Sequence, residues 1–497
     1  MASGWAPKKH HPWFLNKQPK GRVVAPSPAP AFGELIHTLR VEDLEEASRK
    51  HQSLAQIQHV QTVTSYSWVE KKGSGPTILV PGRQTSLPAG LVEHHQAMRL
   101  SNQPIVAGKP PLWTPKAALT PLKEDSGSYF RDKNAARYPS HPLEPAIVAA
   151  LAADPALPAQ VDIFACGSTV GNLLRFARGQ EKTSRMLAYK AHNTVFLVRR
   201  ENSPTELIPD VRGYGHTFPE ANTTWEPDVK GSASHQRLIR YTFGGLDLVV
   251  RFEADGYIKP RGSPTPRPHT KTTTPSPSTT DEDPLTSLTT SLTTTTLSHP
   301  VTDPTNPATL TIIPSHTPII PHAHLFDLKT RSIHSRHTKN HLADELPRLW
   351  VSRIPTFILA FHTRGLFHLG DVEIKDTRGE VEVWEREHAE ELGRLAGVLY
   401  WLRGVVEDEG VEVCMSEGGG LEVRRIVGVE GGVAGEAVRK SWVKLGRGEE
   451  EGAGVSREDG DEKVESDAEE EVWWDDGETK DFTACGQDCG YCGNCTY

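Results

Sequence analysis

Three acidic residues and one lysine with the spacing of a catalytic site lie on two short strings of the chain. Glu253 and Asp255 belong to the first string, and Asp327 and Lys329 belong to the second. In an extended strand, residues two apart lie on the same face at a separation of about 6.6 Å. Each string therefore presents two ionic side chains on one face, and three carboxylates converge with one ammonium if the two strands are neighbours.

Carboxylates clustered in this way repel one another unless a divalent cation lies between them. A Mg²⁺ or Mn²⁺ ion held by Glu253, Asp255 and Asp327 would take phosphate oxygens and water as its other ligands. Lys329 would then orient the attacking water or neutralise charge on the phosphate. This is the chemistry of phosphodiester or pyrophosphate hydrolysis, with Asp255, Asp327 and Lys329 as catalytic residues. An acid-x-Lys triplet is also common at exposed strand ends, with the lysine as a surface partner.

The elements expected around these strings are strands interleaved with helices, which is typical of an α/β domain with a central mixed sheet flanked by helices. Gly244-Gly245 predicts a hairpin between two of the strands. The pattern predicts strands at 161–165, 194–200, 238–243, 246–257, 324–330, 356–362 and 366–374, helices at 41–61, 142–152, 342–352 and 380–403, and small strands within 411–445.

Composition divides the chain into one interrupted domain with disordered ends. The α/β domain is expected in two parts, 51–260 and 319–445, around a Thr/Pro/Ser-rich insertion at 261–318 that has too little apolar surface to fold. A disordered N-terminal arm is predicted at 1–50, an acidic disordered tail at 446–481, and a cysteine-rich tail at 482–497.

Charge and cysteine usage exclude several classes of protein. The 497 residues carry a net charge of -9, but sixteen acids and three bases lie between Glu449 and Asp481. The rest, with 52 bases (55 less 3) and 48 acids (64 less 16), is slightly basic and does not exclude RNA as a partner. No stretch has the roughly 18 apolar residues of a membrane helix, and the N-terminus lacks an apolar signal core. Six cysteines do not make a disulfide scaffold, so we expect a nuclear or cytoplasmic protein without membrane contact.

The order of the motifs resembles that of the PD-(D/E)XK nuclease superfamily, and more narrowly of the decapping exoribonuclease (DXO-like) family. That family has a Glu-x-Asp string, then Glu-Leu-Lys, then a Trp-containing helix that leads into an Ile-Pro-x-Ile-type strand. The counterparts are Glu253-Ala254-Asp255, Asp327-Leu328-Lys329 and residues 349–365. Residues 213–220 resemble a stretched Gly-aromatic-x-Phe-Glu motif, and the resemblance implies Glu220 as a fourth metal ligand and an activity on RNA 5' ends.

The sequence also departs from the family pattern. Asp327 replaces the usual Glu, which keeps an acid but shortens it by one methylene. Residues 164–174 lie where the family has a Trp-Arg-Gly string, without a matching arginine, and the glutamine expected near Trp350 is missing. The missing residues favour an alternative hypothesis, in which the protein keeps the fold as a catalytically degenerate binding or interaction protein.

Two further groups of residues suggest binding functions. Four thiols, those of Cys485, Cys489, Cys492 and Cys495, could hold Zn²⁺ or an iron-sulfur cluster, or the cysteine-rich and acidic tails could contact a protein partner. The basic residues that follow the second string could bind phosphate or could form a solvated loop; they are Arg331, Arg336 and Lys339.

Fungal chains that resemble this one often carry the label geranylgeranyl pyrophosphate synthetase. That chemistry uses an all-helical fold with two Asp-Asp-x-x-Asp motifs. The sequence has neither motif, since its Asp-Asp pair, Asp475-Asp476, lies in the acidic tail and the middle of the chain is rich in strands. The residues therefore do not support that activity.

Overall fold

The structure, a computed structural model, describes residues 27–70, 75–81, 109–116, 120–259, 310–315, 319–416, 418–429 and 432–448. Most of the predicted insertion, nearly all of the acidic tail and the four tail cysteines lie outside the described residues. Within the described ranges, no helix has both the length and the apolar character needed to cross a membrane.

The larger of two main sheets mixes parallel and antiparallel strands and has eleven strands within the described residues. Its strands, in spatial order, are β1 (Leu35–Leu39), β19 (Leu421–Arg424), β18 (Val411–Met415), β7 (Ser184–Ala191), β8 (Thr194–Arg199), β6 (Ile163–Cys166), β12 (Leu246–Glu253), β11 (Ser232–Phe243), β2 (Gln58–Val69), β3 (Thr77–Pro81) and β14 (Thr311–Ser315). At its centre, β6 runs parallel to both β8 and β12. These strands are buried on both faces, as expected of runs rich in β-branched residues.

The smaller sheet carries the second acidic string. Its strands, in spatial order within the described part of the chain, are β10 (Thr223–Thr224), β4 (Leu112–Trp113), β13 (Gly256–Tyr257), β15 (Leu325–Ser332), β16 (Thr356–His362) and β17 (Val372–Asp376). The strands β15 and β16 run parallel, with Asp327 opposite Phe357. A further strand pair joins β5 (Tyr129–Phe130) to β9 (Leu207–Ile208).

Helices pack against the two sheets. They are α1 (Glu45–His51), α2 (Lys133–Arg137), α3 (Glu144–Ala153), α4 (Gly167–Ala177), α5 (Thr217–Asn222), α6 (His341–Ser352), α7 (Arg378–Glu387), α8 (Ala389–Val405) and α9 (Glu436–Gly446). One core contains α4, α6 and α8 on the side that faces the smaller sheet, and a second core contains α3 and α9 on the other side. In the second core, Trp442 of α9 packs edge-on against Phe164 and Phe196, at centroid distances of 5.8 and 5.1 Å.

The predicted α/β class with mixed sheets flanked by helices is confirmed. The hairpin forms at Gly244 and Gly245, whose φ angles are +60° and +82°. A Cβ atom at Gly244 would lie 2.6 Å from Cβ of Ala396 on α8, so the turn needs glycine for both conformation and space. The predicted strand at 356–362 has the same bounds in the structure.

Several predicted elements near the ends of the domain are wrong. The helix predicted over 41–61 is shorter, since α1 ends at His51; β2 begins at Gln58 and carries Tyr66 and Trp68 into the second core. Composition predicts a disordered arm at residues 35–39, but they form β1. It also places residues 311–315 in the insertion, but they form β14 beside β3, with Leu310 buried in the second core.

Two later elements also differ from the prediction. The helix expected over 380–403 is two helices, α7 and α8, that meet at His388. The strand expected over 366–374 is confined to β17, which begins at Val372. In both cases the apolar pattern continues across a short break in the backbone hydrogen bonding, so the pattern alone does not show the boundary.

A buried ion triad joins the N-terminal segment to the larger sheet. Glu412 of β18 is fully buried and accepts hydrogen bonds from Nε and Nη2 of Arg185, at 2.5 and 2.9 Å. Arg200 Nη1 lies 2.7 Å from the same carboxylate. Arg185 also donates to the backbone carbonyls of Pro30 and Ala31. Glu412 is therefore the counter-charge of Arg185, which anchors this segment.

We expect Glu412→Gln to destabilise the protein by about 3–5 kcal/mol, because it leaves two buried guanidinium groups without a counter-charge. Urea unfolding measures the change. The control is Glu436→Gln, which removes an exposed pair with Lys440 on α9 and should leave the free energy of unfolding unchanged. Equal effects of the two substitutions would contradict a structural role of the triad.

Candidate active site

The chain passes from the larger sheet to the smaller one between Glu253 and Gly256. Glu253 is the last residue of β12 in the larger sheet. Ala254 still donates its backbone N–H to the carbonyl of His235 on β11, at 2.9 Å. Gly256 begins β13, which pairs with β15 of the smaller sheet. Asp255 is therefore the residue at which the chain leaves one sheet for the other.

Gly256 allows β13 to approach β15 closely. A Cβ atom at this position would lie 2.3 Å from Cζ of Phe326 and 2.6 Å from the carbonyl oxygen of Pro111. A larger residue would require the backbone or the Phe326 ring to shift. Gly256 lies opposite Phe326 in the antiparallel register, so the adjacent position brings Asp255 opposite Asp327.

If the strand of Gly256 continued towards Ala254 in this register, a backbone carbonyl would accept the next hydrogen bond from β15. Here the Asp255 carboxylate accepts it instead. Its Oδ2 accepts the backbone N–H of Leu328 at 2.7 Å. On β15, Asp327 is 2% exposed and Lys329 is also buried. Both share the face of Leu325, which belongs to the main core, whereas Leu328 packs on the opposite face. An aspartate and a lysine thus lie where apolar side chains would ordinarily continue the core.

These surroundings raise the pKa of Asp255 to about 7. Burial is the largest cause, and the negative charge of Asp327 adds to it. The ammonium of Lys329 opposes the rise, and the charge of Glu253 contributes further to it. A carboxyl with this pKa exchanges its proton near neutral pH, as a general acid or base must.

Arg348 of α6 neutralises Asp327. Its Nη2 donates to Oδ1 of Asp327 at 2.6 Å, and its Nη1 contacts Oδ2, so the pair is bidentate. One turn earlier on α6, Glu345 accepts from Nε of Arg348 at 2.8 Å and lies 3.4 Å from Nη2 of Arg331. Burial opposes the charge of Arg348, but Asp327 and Glu345 hold its pKa well above the ordinary value. Charges of alternating sign therefore extend from Asp327 through Arg348 and Glu345 to Arg331.

Sequence reasoning missed Arg348 and Glu345 as members of this site. Both lie on a polar stripe of α6 that begins at His341 and continues to Ser352, with the spacing i, i+4, i+7 and i+11. The sequence shows this stripe directly after a strand that carries two ionic residues. This order of elements indicates that polar side chains of the helix contact the ionic residues of the strand.

Glu220 lies in a different environment from the other predicted ligands. It is exposed on α5; burial raises the pKa of Tyr129, and the charges of Asp125 and Glu220 add to the rise. The structure brings Asp327 and Glu253 each into electrostatic contact with Asp255. The role of Glu220 as a fourth ligand stays a prediction.

The predicted phosphate-binding residues have two kinds of surroundings. Arg331 is buried against Glu345, and Arg336 donates to Asp371 at 2.8 Å and to Glu373 at 3.1 Å. Lys339 is exposed in the turn before α6. Phosphate would therefore have to compete with carboxylates for both arginines, and the assignment of all three residues stays a prediction.

The carboxylates of the site have the right chemistry to bind a divalent cation, but Arg348 competes with such a cation for Asp327. Carboxylate oxygens are the ligands that Mg²⁺ and Mn²⁺ prefer. Nevertheless, the described residues contain no group of three or more His, Cys, Asp or Glu side chains arranged to hold a metal ion. The guanidinium of Arg348 takes both oxygens of Asp327, and its side chain is 41% exposed. A cation could bind Asp327 only after this arginine moves away.

We expect Asp255→Asn to remove a pH-dependent loss of stability. The folded protein holds the Asp255 proton more tightly than the unfolded chain does, since the pKa rises from 3.8 to about 7. Its contribution to stability is therefore complete below pH 4 and is lost as the pH rises to about 7. The measurement is the melting temperature between pH 4 and 8. The melting temperature of Asp255→Asn should equal that of the wild type at pH 4 and exceed it by several degrees at pH 8.

The exposed Asp376→Asn variant serves as the control and should keep the wild-type pH dependence. A constant difference between Asp255→Asn and wild type at every pH would contradict the raised pKa.

Comparisons with known proteins give one family and several similar structures. A family model described as a domain of unknown function (DUF8563) matches residues 39–429. Among curated proteins, none matches the chain in sequence. Rai1 of Scheffersomyces stipitis, solved with (3'-NADP)+ and calcium ion, is 11% identical, with a TM-score of 0.46 over 82% of this chain and 100% of that chain.

Rai1 of Candida albicans, solved with pU5-Mn2+, is 10% identical, with a TM-score of 0.44 over 85% of this chain and 100% of that chain. Dxo1 of K. lactis, solved with manganese, is 8% identical, with a TM-score of 0.30 over 54% of this chain and 66% of that chain. At such identities, a likeness concerns the fold alone. The family model, by contrast, covers most of the chain, and the protein belongs to the DUF8563 family.

Proposed function

We propose that the protein is a metal-dependent hydrolase of phosphodiester or pyrophosphate bonds in RNA 5' ends. One observation carries the proposal: Asp255 lies opposite Asp327, with Lys329 two residues further along the same face of β15. The region where the two sheets meet contains three carboxylates and a buried ammonium. The packing of the core does not require these charged groups. Arrangements of this kind are typical of phosphoryl-transfer sites.

The residues of the site would have separate tasks. Glu253, Asp255 and Asp327 would hold Mg²⁺ or Mn²⁺, with Glu220 as a further predicted ligand, and the bound metal would polarise a phosphoryl oxygen and acidify a water molecule. Lys329 would neutralise negative charge that develops on the phosphate. In the metal-free protein the pKa of Asp255 is about 7, so its carboxyl would give up a proton as it takes up the metal ion.

The bidentate pair between Arg348 and Asp327 favours a second candidate function. With this pair in place, Asp327 is neutralised without a metal ion. A protein that keeps the fold but binds RNA or a protein partner without catalysis would retain such a pair. The two functions differ in whether the acid cluster takes up a divalent cation and turns over substrate.

We expect Asp255→Asn and Lys329→Met each to lower hydrolysis by about 100-fold or more, because each removes a charge or proton carrier at the reacting phosphate. The measurement is hydrolysis of RNAs with a 5' monophosphate, a triphosphate, a methylated cap or a dinucleotide cap, with Mg²⁺ or Mn²⁺ present. The control, Lys375→Met on β17, removes a half-exposed lysine outside the acid cluster and should keep full activity.

Activity that survives both substitutions would show that hydrolysis occurs elsewhere. Folded protein that is inactive on every substrate would favour the binding function.

We expect Arg348→Gln to raise the affinity for Mn²⁺ about tenfold, or about 1.4 kcal/mol, because it removes the cation that competes for Asp327. Titration calorimetry with Mn²⁺ measures the change. The control is Arg378→Gln, which breaks an exposed pair with Asp376 and should leave Mn²⁺ affinity unaltered. If neither the wild type nor Arg348→Gln binds Mn²⁺, the acid cluster is not a metal site.

A further inference from the structure

A small polar cavity lies where β6 ends and α4 begins. Its volume is about 10 Å³, which is room for one water-sized molecule. The polar part of its lining consists of Cys166, Arg251, Asp132 and Arg199, and the remainder is apolar. The carboxylate of Asp132 is partly engaged, since it accepts the backbone N–H groups at the start of α2. The cavity thus combines a thiol with two guanidinium groups and one carboxylate, and Arg199 is also paired with Glu201.

Arg251 contributes unused hydrogen-bond donors to this cavity. It is 8% exposed, and it lies beside Cys166 in the parallel pairing of β12 with β6. Its Nε and Nη1 atoms have no hydrogen-bond partner within the described part of the chain. A buried cation with open N–H groups carries a desolvation cost that an anion or an oxygen acceptor would relieve. The arginine therefore favours negative charge at the cavity.

Cys166 is placed to supply that negative charge. It is the N-cap residue of the 11-residue helix α4, where the helix dipole and free N–H groups favour an anion. Its Sγ lies 3.2 Å from Oγ of Ser168 and 3.4 Å from Oγ1 of Thr169. Burial raises the pKa of the thiol, but the charge of Arg251 and the hydrogen bonds with Ser168 and Thr169 outweigh burial, so the pKa falls below its ordinary value.

We propose that Cys166 is a modification site, at which hydrogen peroxide oxidises a thiolate paired with Arg251 to sulfenic acid. The sulfur attacks one peroxide oxygen, so an S–O bond forms and the O–O bond breaks. Sulfur loses two electrons, and the departing hydroxide takes a proton from solvent to become water. The cavity accommodates the new oxygen atom, and the open N–H groups of Arg251 can donate hydrogen bonds to it.

The dimensions of the cavity predict selectivity for small reagents. Cys166 is 4% exposed, so a reagent with a ring or a long chain cannot reach the sulfur in the folded protein. Hydrogen peroxide is small and uncharged. We therefore expect peroxide to oxidise the native protein at Cys166, while dipyridyl disulfide reacts there only after unfolding.

Cys414 provides a matched control in the same chain. It is also buried, but burial and the negative charge of Glu412 raise its pKa to about 12. Burial alone would make the two thiols equally inert. A difference in peroxide reactivity therefore reports the effect of Arg251 and of the α4 N-terminus.

The test treats full-length folded protein with peroxide, removes the excess with catalase, unfolds the protein in dimedone and quantifies labelled peptides by mass spectrometry. We expect Cys166 to be labelled at least about tenfold faster than Cys414. Arg251→Met should slow labelling of Cys166 by about tenfold, and Arg251→Lys should restore part of the rate. Equal labelling of the two cysteines would overturn the proposal.

A second variant keeps the proposal falsifiable if Arg251→Met does not fold. Ser168→Ala removes one hydroxyl near Sγ from a partly buried position, and it should slow labelling of Cys166 without changing that of Cys414. An unchanged rate of Cys166 labelling in Ser168→Ala would then overturn it. The readout is chemical labelling, so it is independent of whether the protein hydrolyses RNA.

Discussion

The stretch from Arg251 to Tyr257 belongs to both sheets, and the arrangement of the charged residues depends on it. Its first residues complete β12 in the larger sheet, and its last residues form β13 in the smaller one. The chain can cross here because Gly256 has no side chain, so the ring of Phe326 packs closer to it than a Cβ atom would allow. The same crossing places Asp255 against Asp327 and leaves Arg251 on the opposite end, beside Cys166.

Alternating charge is what keeps this region stable in the interior. Asp327, Arg348, Glu345 and Arg331 form a continuous series of ion pairs between β15 and α6. Removing one member of such a series leaves an uncompensated buried charge, which costs more than the pair contributes. Asp255 stands at the end of the series next to like charges, and this position explains why its pKa rises while Arg348 stays charged.

The sequence predicted the α/β class and the contents of the acid cluster better than the boundaries of the elements. Alternation and spacing sufficed to place Asp327 and Lys329 on one face of a strand. The same reasoning put Glu253 and Asp255 on one face of a strand over 246–257, but β12 ends at Glu253, Asp255 lies between two strands, and β13 belongs to the smaller sheet. The apolar pattern continues through this break, so it did not reveal the change of sheet. The sequence did not predict the role of Arg348, because an arginine on an amphipathic helix is usually solvated; its side chain is 41% exposed, and its guanidinium group reaches Asp327 on β15.

The most direct test of the account is the number of protons released when the protein binds Mg²⁺ or Mn²⁺, measured by calorimetry in buffers of different ionisation enthalpy. If the Asp255 and Asp327 cluster is the metal site, binding at pH 6 releases about one proton, because a carboxyl with a pKa of about 7 must ionise. The release should vanish by pH 8.5. Metal binding without proton release at pH 6, or no binding at either pH, would contradict the assignment of this cluster as a metal-dependent active site.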